Sequence, residues 1–111
     1  MANVEIKICG LSTPETLDAA IDAGATHVGL VHYQPSPRHL SLEQAAALRR
    51  RVPERVKVVL LLVSMEALPT AQALDAVKPD VVQFHGAETP EWLALIKNNT
   101  PLEVWKAIGV R

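Results

Sequence analysis

Val4–Gly10, with the sequence V-E-I-K-I-C-G, is the stretch from which the fold can be worked out. Its apolar residues alternate with Glu5 and Lys7, and this period of two is typical of a strand. The odd register carries on to Cys9, and Gly10 then permits a tight turn because it has no Cβ. Parallel α/β sheets and barrels place their chemistry at the carboxyl ends of strands. Cys9 is therefore a candidate catalytic thiol, although a lone intracellular cysteine is also commonly a small buried apolar residue.

Further strands follow at intervals of about one βα unit, with signals for helix starts between them. Val56–Val63 is almost continuously apolar, as expected of a strand buried on both faces of a parallel sheet. The other predicted strands are Thr26–His32, Val81–Phe84 and Leu102–Ile108. Three helices are predicted to begin after the side-chain caps Thr13, Ser41 and Thr89, and a fourth spans about Glu66–Val77. The order βαβαβαβαβ predicts an α/β fold with parallel strands.

The composition limits the classes of function. The chain has 111 residues, a formal net charge of −1 and one cysteine. This charge argues against a nucleic-acid binder, which would carry a basic stripe. The longest apolar run, Val58–Val63, is too short to cross a bilayer, so no membrane contact is expected. One cysteine excludes an intramolecular disulfide and fits a reducing compartment. Without a signal-peptide pattern, the sequence predicts a cytoplasmic protein.

Polar side chains gather where the predicted strands end. The carboxyl ends of parallel strands share one edge, so we expect that edge to collect Cys9, His32, Ser64, His85 and the loop at 33–40 that carries Arg38. Gln83 lies two residues before His85 and shares its face. An unpaired buried amide costs about 1–3 kcal/mol, so Gln83 needs a partner, either a ligand or a neighbouring polar group.

Other charged and imidazole groups have plainer interpretations. The run of arginines at 49–51 fits the exposed end of a helix, where cations are favoured. Glu88 and Glu91 fit charges at a helix start, and His27 and His39 are predicted to lie at the surface. The sequence shows no metal-ligand spacing, Gly-rich phosphate loop or dinucleotide fingerprint, so it predicts no metal site.

Four short motifs, in this order, resemble phosphoribosylanthranilate isomerase, a family of tryptophan biosynthesis. They are K-I-C-G at Lys7–Gly10, A-G-A at Ala23–Ala25, S-P-R at Ser36–Arg38 and Q-F-H-G at Gln83–Gly86. The resemblance covers this whole chain but only about the first half of a family member, which is a (βα)₈ TIM barrel. It therefore implies that residues 1–111 form a single partial barrel domain with the first five strands.

The resemblance implies an Amadori rearrangement of a small phosphosugar, N-(5-phosphoribosyl)anthranilate, without cofactor or metal. Cys9 matches the general base that removes the C2′ proton, and Arg38 matches the residue that approaches the anthranilate carboxylate. His85 and Gln83 match positions that line the substrate pocket. The family's acidic aspartate on the sixth strand, and its glycine-rich phosphate loops after the seventh and eighth, have no counterpart in this sequence.

The sequence departs from the family pattern at two further positions, and two other functions remain as alternatives. His32 and Ser64 occupy positions where the family usually has an aromatic residue and an asparagine. Because the family's aspartate and phosphate loops are missing, we expect the chain to be inactive alone. Five strands also leave two open edges, so we expect it to self-associate or pair with the missing C-terminal half. One alternative is a non-catalytic half-barrel or flavodoxin-like interaction module. The other is a different (βα)₈ phosphate-sugar enzyme, such as an epimerase.

Overall fold

Strands and helices alternate along residues 5–106, the part of the chain that the computed structural model describes. The strands are β1 (Lys7–Ile8), β2 (His27–His32), β3 (Lys57–Leu62), β4 (Val81–Phe84) and β5 (Glu103–Lys106). The helices are α1 (Pro14–Asp22), α2 (Leu42–Arg50), α3 (Ala67–Val77) and α4 (Pro90–Asn99). The predicted α/β fold is confirmed.

The five strands form one parallel sheet in the order β1-β2-β3-β4-β5. Consecutive strands are therefore neighbours throughout, as in a segment of a (βα)₈ barrel. A flavodoxin-like sheet would place the first strand inside the sheet, between the second and third strands. The flavodoxin-like alternative is wrong for this reason.

The helix starts follow from local side-chain chemistry. Ser41 accepts a hydrogen bond from the backbone N–H of Gln44 at 3.1 Å, and the Gln44 side chain accepts one from Ser41 N at 2.9 Å. Thr13 and Thr89 cap α1 and α4, and Gly24 follows α1 with a φ of +98°. The longest helix within residues 5–106, α3, has 11 residues, and none of these helices is long and apolar enough to cross a membrane.

The core lies between the sheet and its helices. Alternate residues of the central strands face the helices with no exposed surface: Val28, Leu30, Val58, Leu60, Leu62, Val82 and Phe84. Leu17 of α1, Ala45 of α2 and Ala73 of α3 are also fully buried in this layer. Val59 is fully buried as well, although it faces the other side of β3. The prediction that the third strand is buried on both faces is therefore confirmed at its centre.

Within the described residues, the first strand is shorter than predicted and the last begins one residue later, at Glu103. At the start of β1, the Ile6 carbonyl accepts from both Thr26 N (2.9 Å) and His27 N (3.1 Å), and Ile6 N donates to the Thr26 hydroxyl (2.8 Å). One carbonyl thus serves two N–H groups, and one N–H group bonds to a side chain. These bonds replace the regular backbone ladder between β1 and β2 at this point. Val4 and the predicted end of the fifth strand, from 107, lie outside the described residues.

The side of the sheet that faces away from the helices, called the inner face below, is curved. Its curvature brings the two edge strands toward each other: Lys7 Nζ lies 5.7 Å from the ring centroid of Trp105. The His27 and Trp105 rings are 5.4 Å apart, and His27 is only 7% exposed. The prediction that His27 lies at the surface is wrong, because β5 closes over it.

Candidate active site

Cys9 follows β1 and is exposed at the carboxyl rim of the inner face. Gly10 N and Leu11 N both donate to the Gly29 carbonyl, at 3.0 and 3.2 Å, and this ends the first strand. A Cβ on Gly29 would lie 2.9 Å from Cys9 Sγ and 3.0 Å from Cys9 Cα. The thiol therefore lies against bare backbone of β2, with its position set by a glycine.

Arg38 reaches the same place from the loop that follows β2. The loop is folded by the bonds Arg38 N to Ser36 Oγ (3.1 Å) and Leu40 N to the Val31 carbonyl (2.8 Å). A Cβ on Gly10, which has a φ of +79°, would lie 3.0 Å from Arg38 Nε. The Arg38 side chain thus crosses the residue next to Cys9. Arg38 is exposed, and its guanidinium suits bidentate contact with a carboxylate.

His85 is exposed after β4 and lines a concavity of about 340 Å³. The residues that line this concavity are Val31, Tyr33, Ser36, Leu61, Val63 and His85. Because Tyr33 and Ser36 belong to the loop that carries Arg38, the concavity lies between that loop and His85. A larger concavity of about 580 Å³ includes Arg50 and Lys78 and lies at the amino ends of the strands. Barrel chemistry belongs to the carboxyl ends, so the smaller concavity is the candidate.

Gln83 and Lys7 meet across the inner face. Gln83 is half-buried on β4, and its side-chain oxygen accepts a hydrogen bond from Lys7 Nζ. The structure therefore brings Cys9 together with Arg38, His85 with the Arg38 loop, and Gln83 with Lys7. Sequence reasoning assigned no role to Lys7. The available signal was its register, which places this cation on the same face as Cys9.

Glu88 binds three parts of the rim at once, and its side chain is only 3% exposed. It accepts hydrogen bonds from Ser64 N at 2.7 Å, Gly86 N at 2.8 Å and Lys106 Nζ at 2.8 Å. We call these four residues the Glu88 clip. The prediction that Glu88 is a helix-start charge is wrong, whereas Glu91 does lie in the first turn of α4.

The electrostatics of the clip favour its charged form. Burial raises the pKa of Glu88, but the bond from Lys106 and the backbone N–H groups of Glu88, Ser64 and Gly86 together hold it below its usual value. Ser64 adopts a left-handed backbone with a φ of +45°, and its hydroxyl accepts from Ala87 N at 3.0 Å. The ends of β3, β4 and β5 are therefore joined by one ionised network.

The two histidines near the second strand do not join this rim chemistry. His32 faces the helices, and its Nδ1 lies 2.8 Å from the Leu40 carbonyl oxygen. Its ring is 5.1 Å from that of His39, which is half-buried rather than at the surface as predicted. Period two explains the orientation of His32, because it shares a face with the core residues Val28 and Leu30.

The consecutive order of the parallel strands, which alternate with helices, defines an α/β chain built like a segment of a (βα) barrel. The family model for N-(5′-phosphoribosyl)anthranilate (PRA) isomerase matches residues 6–111, and the chain belongs to this family. The N-(5′-phosphoribosyl)anthranilate isomerase of Erythrobacter litoralis is 64% identical over 106 residues, which cover 96% of this chain and 51% of that protein. The Azorhizobium caulinodans enzyme of the same name is 51% identical, with 96% and 47% covered.

Solved structures give the same result for the fold. Phosphoribosyl anthranilate isomerase from Thermotoga maritima has a TM-score of 0.91 and 32% identity, covering 97% of this chain and 52% of that one. A phosphoribosyl anthranilate isomerase bound to reduced 1-(O-carboxyphenylamino)-1-deoxyribulose 5-phosphate also has a TM-score of 0.91, with 32% identity and 98% and 55% covered. The chain spans about half the length of the curated relatives it matches.

Proposed function

We propose that this chain supplies the thiol-bearing part of an N-(5-phosphoribosyl)anthranilate isomerase in tryptophan biosynthesis. The observation that carries the proposal is the exposed Cys9 thiol, held against Gly29 beside the residue that Arg38 crosses. A proton-accepting sulfur and a carboxylate-binding cation are thus adjacent at the rim of a (βα) sheet. Membership of the isomerase family gives that pair its reaction.

The proposed reaction is an Amadori rearrangement. An acid protonates the ribose ring oxygen while the bond between that oxygen and C1′ breaks, and the aniline nitrogen supplies the electron pair that forms a C1′ iminium. Cys9, as thiolate, removes the proton on C2′ to give an enolamine. Protonation at C1′ together with loss of the C2′ hydroxyl proton then yields the C2′ ketone. A thiolate serves as the base when its pKa falls near the working pH.

The other rim residues have binding roles in this proposal. Arg38 pairs with the anthranilate carboxylate, which suits its planar, bidentate donor geometry. His85 and Gln83 contact the phosphosugar, one from the concavity and one from the inner face. The rearrangement moves hydrogen within a single substrate without net oxidation, so it requires no electron-carrying cofactor. We place the protein in the cytoplasm, where a lone thiol stays reduced.

The acid and the phosphate-binding loops are proposed to come from polypeptide other than residues 1–111. In the family the acid lies on the sixth strand and the phosphate-binding loops follow the seventh and eighth. The described sheet has β1 and β5 as its two edges. Ile6 beside β1 is 43% exposed. We propose that these edges pair with the remaining half of the barrel or, failing that, with a second copy. Light scattering after gel filtration of this chain alone tests pairing with a second copy. A monomer that unfolds cooperatively would contradict that pairing.

Turnover of N-(5-phosphoribosyl)anthranilate tests the function. The chain is assayed alone and after mixing with the C-terminal half of the Erythrobacter litoralis enzyme. We expect little activity alone and substantial activity in the mixture. In the mixture, Cys9→Ser should abolish turnover, whereas Ser12→Ala, a change in the same loop, should not. Wild-type rates with Cys9→Ser would refute the base role, and an inactive wild-type mixture would refute the proposed function.

A further inference from the structure

Lys7 is a half-buried cation on the inner face whose surroundings are unusual for a lysine. Its Nζ donates to the side-chain oxygen of Gln83 and lies 5.7 Å from the Trp105 ring centroid. The ion pairs of residues 5–106 are Arg49–Asp80, Arg51–Asp18 and Lys106–Glu88, so Lys7 has no carboxylate partner among them. A charge removed from water in this way is costly unless its contacts compensate. The contact with Gln83 is therefore the one to explain.

The chemistry of the two groups fixes the orientation of the amide. An ammonium group has three donors and no acceptor, whereas a glutamine amide has an acceptor end and a donor end. Lys7 can therefore be satisfied only by the Gln83 oxygen, and the two N–H groups of Gln83 must point the other way. A glutamine without such a partner can turn its amide by 180° and offer either end.

The register places this contact on the same face as the candidate site. Lys7 precedes Cys9 by two residues, and Gln83 precedes His85 by two, with all four on the inner face. Lys7 and Gln83 therefore meet on the face that carries the candidate site, and the N–H groups of Gln83 point away from Lys7. No hydrogen bond from them is formed within residues 5–106. They are unused donors on the inner face, which also carries Cys9 and His85.

We propose that Lys7 is a positioning residue that presents the N–H groups of Gln83 to a hydroxyl oxygen of the bound phosphosugar. This inference rests on the proposed function and adds a residue to it. Lys7 does not touch the substrate. It sets which end of the Gln83 amide does, and so converts an ambiguous polar side chain into an obligate donor.

The first experiment needs no ligand and therefore does not depend on the function. The side-chain amide resonances of Gln83 are assigned by their loss in Gln83→Leu and compared in Lys7→Met and Lys7→Arg. Lys57→Met is the matched control, because Lys57 is an exposed lysine of the same register row, aligned through His27. We expect Lys7→Met to shift these resonances far more than the control does, and Lys7→Arg to shift them less. Resonances unchanged in Lys7→Met would overturn the inference.

The second experiment measures binding of reduced 1-(o-carboxyphenylamino)-1-deoxyribulose 5-phosphate to the mixture of this chain with the C-terminal half. Lys7→Met and Gln83→Leu should each weaken binding about tenfold, as expected for one hydrogen bond. The double variant should be no weaker than either, because both remove the same contact. Lys7→Arg should recover most of the loss. Losses that add in the double variant would overturn the positioning role. An absence of wild-type binding would overturn the proposed function, and the resonances would still decide the contact between Lys7 and Gln83.

Discussion

The two sides of the carboxyl rim are held in different ways. On one side, the Glu88 clip joins three chain segments with charged hydrogen bonds around a carboxylate that is 3% exposed. On the other side, Cys9 and Arg38 are placed by close packing over Gly29 and Gly10, and both side chains are exposed. The clip uses its polar groups internally, whereas the second side leaves them free.

This difference separates the frame of the site from its chemistry. Groups that react or bind must be held in place while their polar atoms stay available. Glycines achieve this for Cys9 and Arg38, because backbone approach positions a side chain without occupying its functional atoms. The Glu88 clip provides a fixed wall beside them, and its ionised groups are saturated by one another. Each of the following changes tests one side of this division.

Removing the carboxylate of the clip should have the largest effect. Glu88→Ala leaves Lys106 without its counterion and two backbone N–H groups without their acceptor. We expect a loss of about 2–3 kcal/mol in the free energy of unfolding, because charged hydrogen bonds in protected sites are worth this much. Urea unfolding measures the loss. Glu91→Ala, which removes an exposed carboxylate from the first turn of α4, should cost less than about 1 kcal/mol. Equal losses in the two variants would show that the clip contributes no more than a surface charge.

The glycine side predicts a smaller cost in stability with a separate effect on binding. Gly10→Ala and Gly24→Ala both place a side chain at positive φ, +79° and +98°, so each should cost about 1 kcal/mol. A Cβ at Gly24 meets nothing within 4 Å, whereas one at Gly10 displaces Arg38. Only Gly10→Ala should therefore weaken binding of the anthranilate-bearing analogue, by several-fold in calorimetry. If both variants bind the analogue with the same affinity, Arg38 does not contribute to ligand binding.

Much of the fold could be predicted because its signals are local. Thr13, Ser41 and Thr89 each bond to a backbone N–H three residues ahead, so helix starts can be recognised within one turn. The α/β class follows from the alternation of such helices with apolar strands. The consecutive strand order does not follow from that alternation, so a flavodoxin-like sheet remained an alternative.

The candidate site was predictable only where a motif marks it. Cys9 and Arg38 stand in short motifs, and the structure places them together. The contacts of Glu88 with Ser64 and Lys106 span 24 and 18 residues, so nothing near Glu88 distinguishes it from a helix-start charge. The burial of His27 depends in the same way on Trp105, far along the chain, and on the curvature that brings β5 over it.

The smallest expected effect is the change with pH in the free energy of unfolding, and it tests the ionised carboxylate of the clip selectively. The pKa of Glu88 is lower in the folded chain than its usual value, so on acidification the unfolded chain takes up this proton first. The stabilisation is therefore complete above the ordinary carboxyl pKa and is lost as the pH falls through the lowered one. Glu88→Gln has no proton to gain, so its deficit relative to wild type should shrink between pH 7 and strongly acidic pH. Urea unfolding across that range measures the deficit, with Glu91→Gln as the control. A deficit that stays constant with pH would mean that packing and neutral hydrogen bonds, rather than the ionised carboxylate, hold this side of the rim. The contrast with the glycine side would then lose its electrostatic basis.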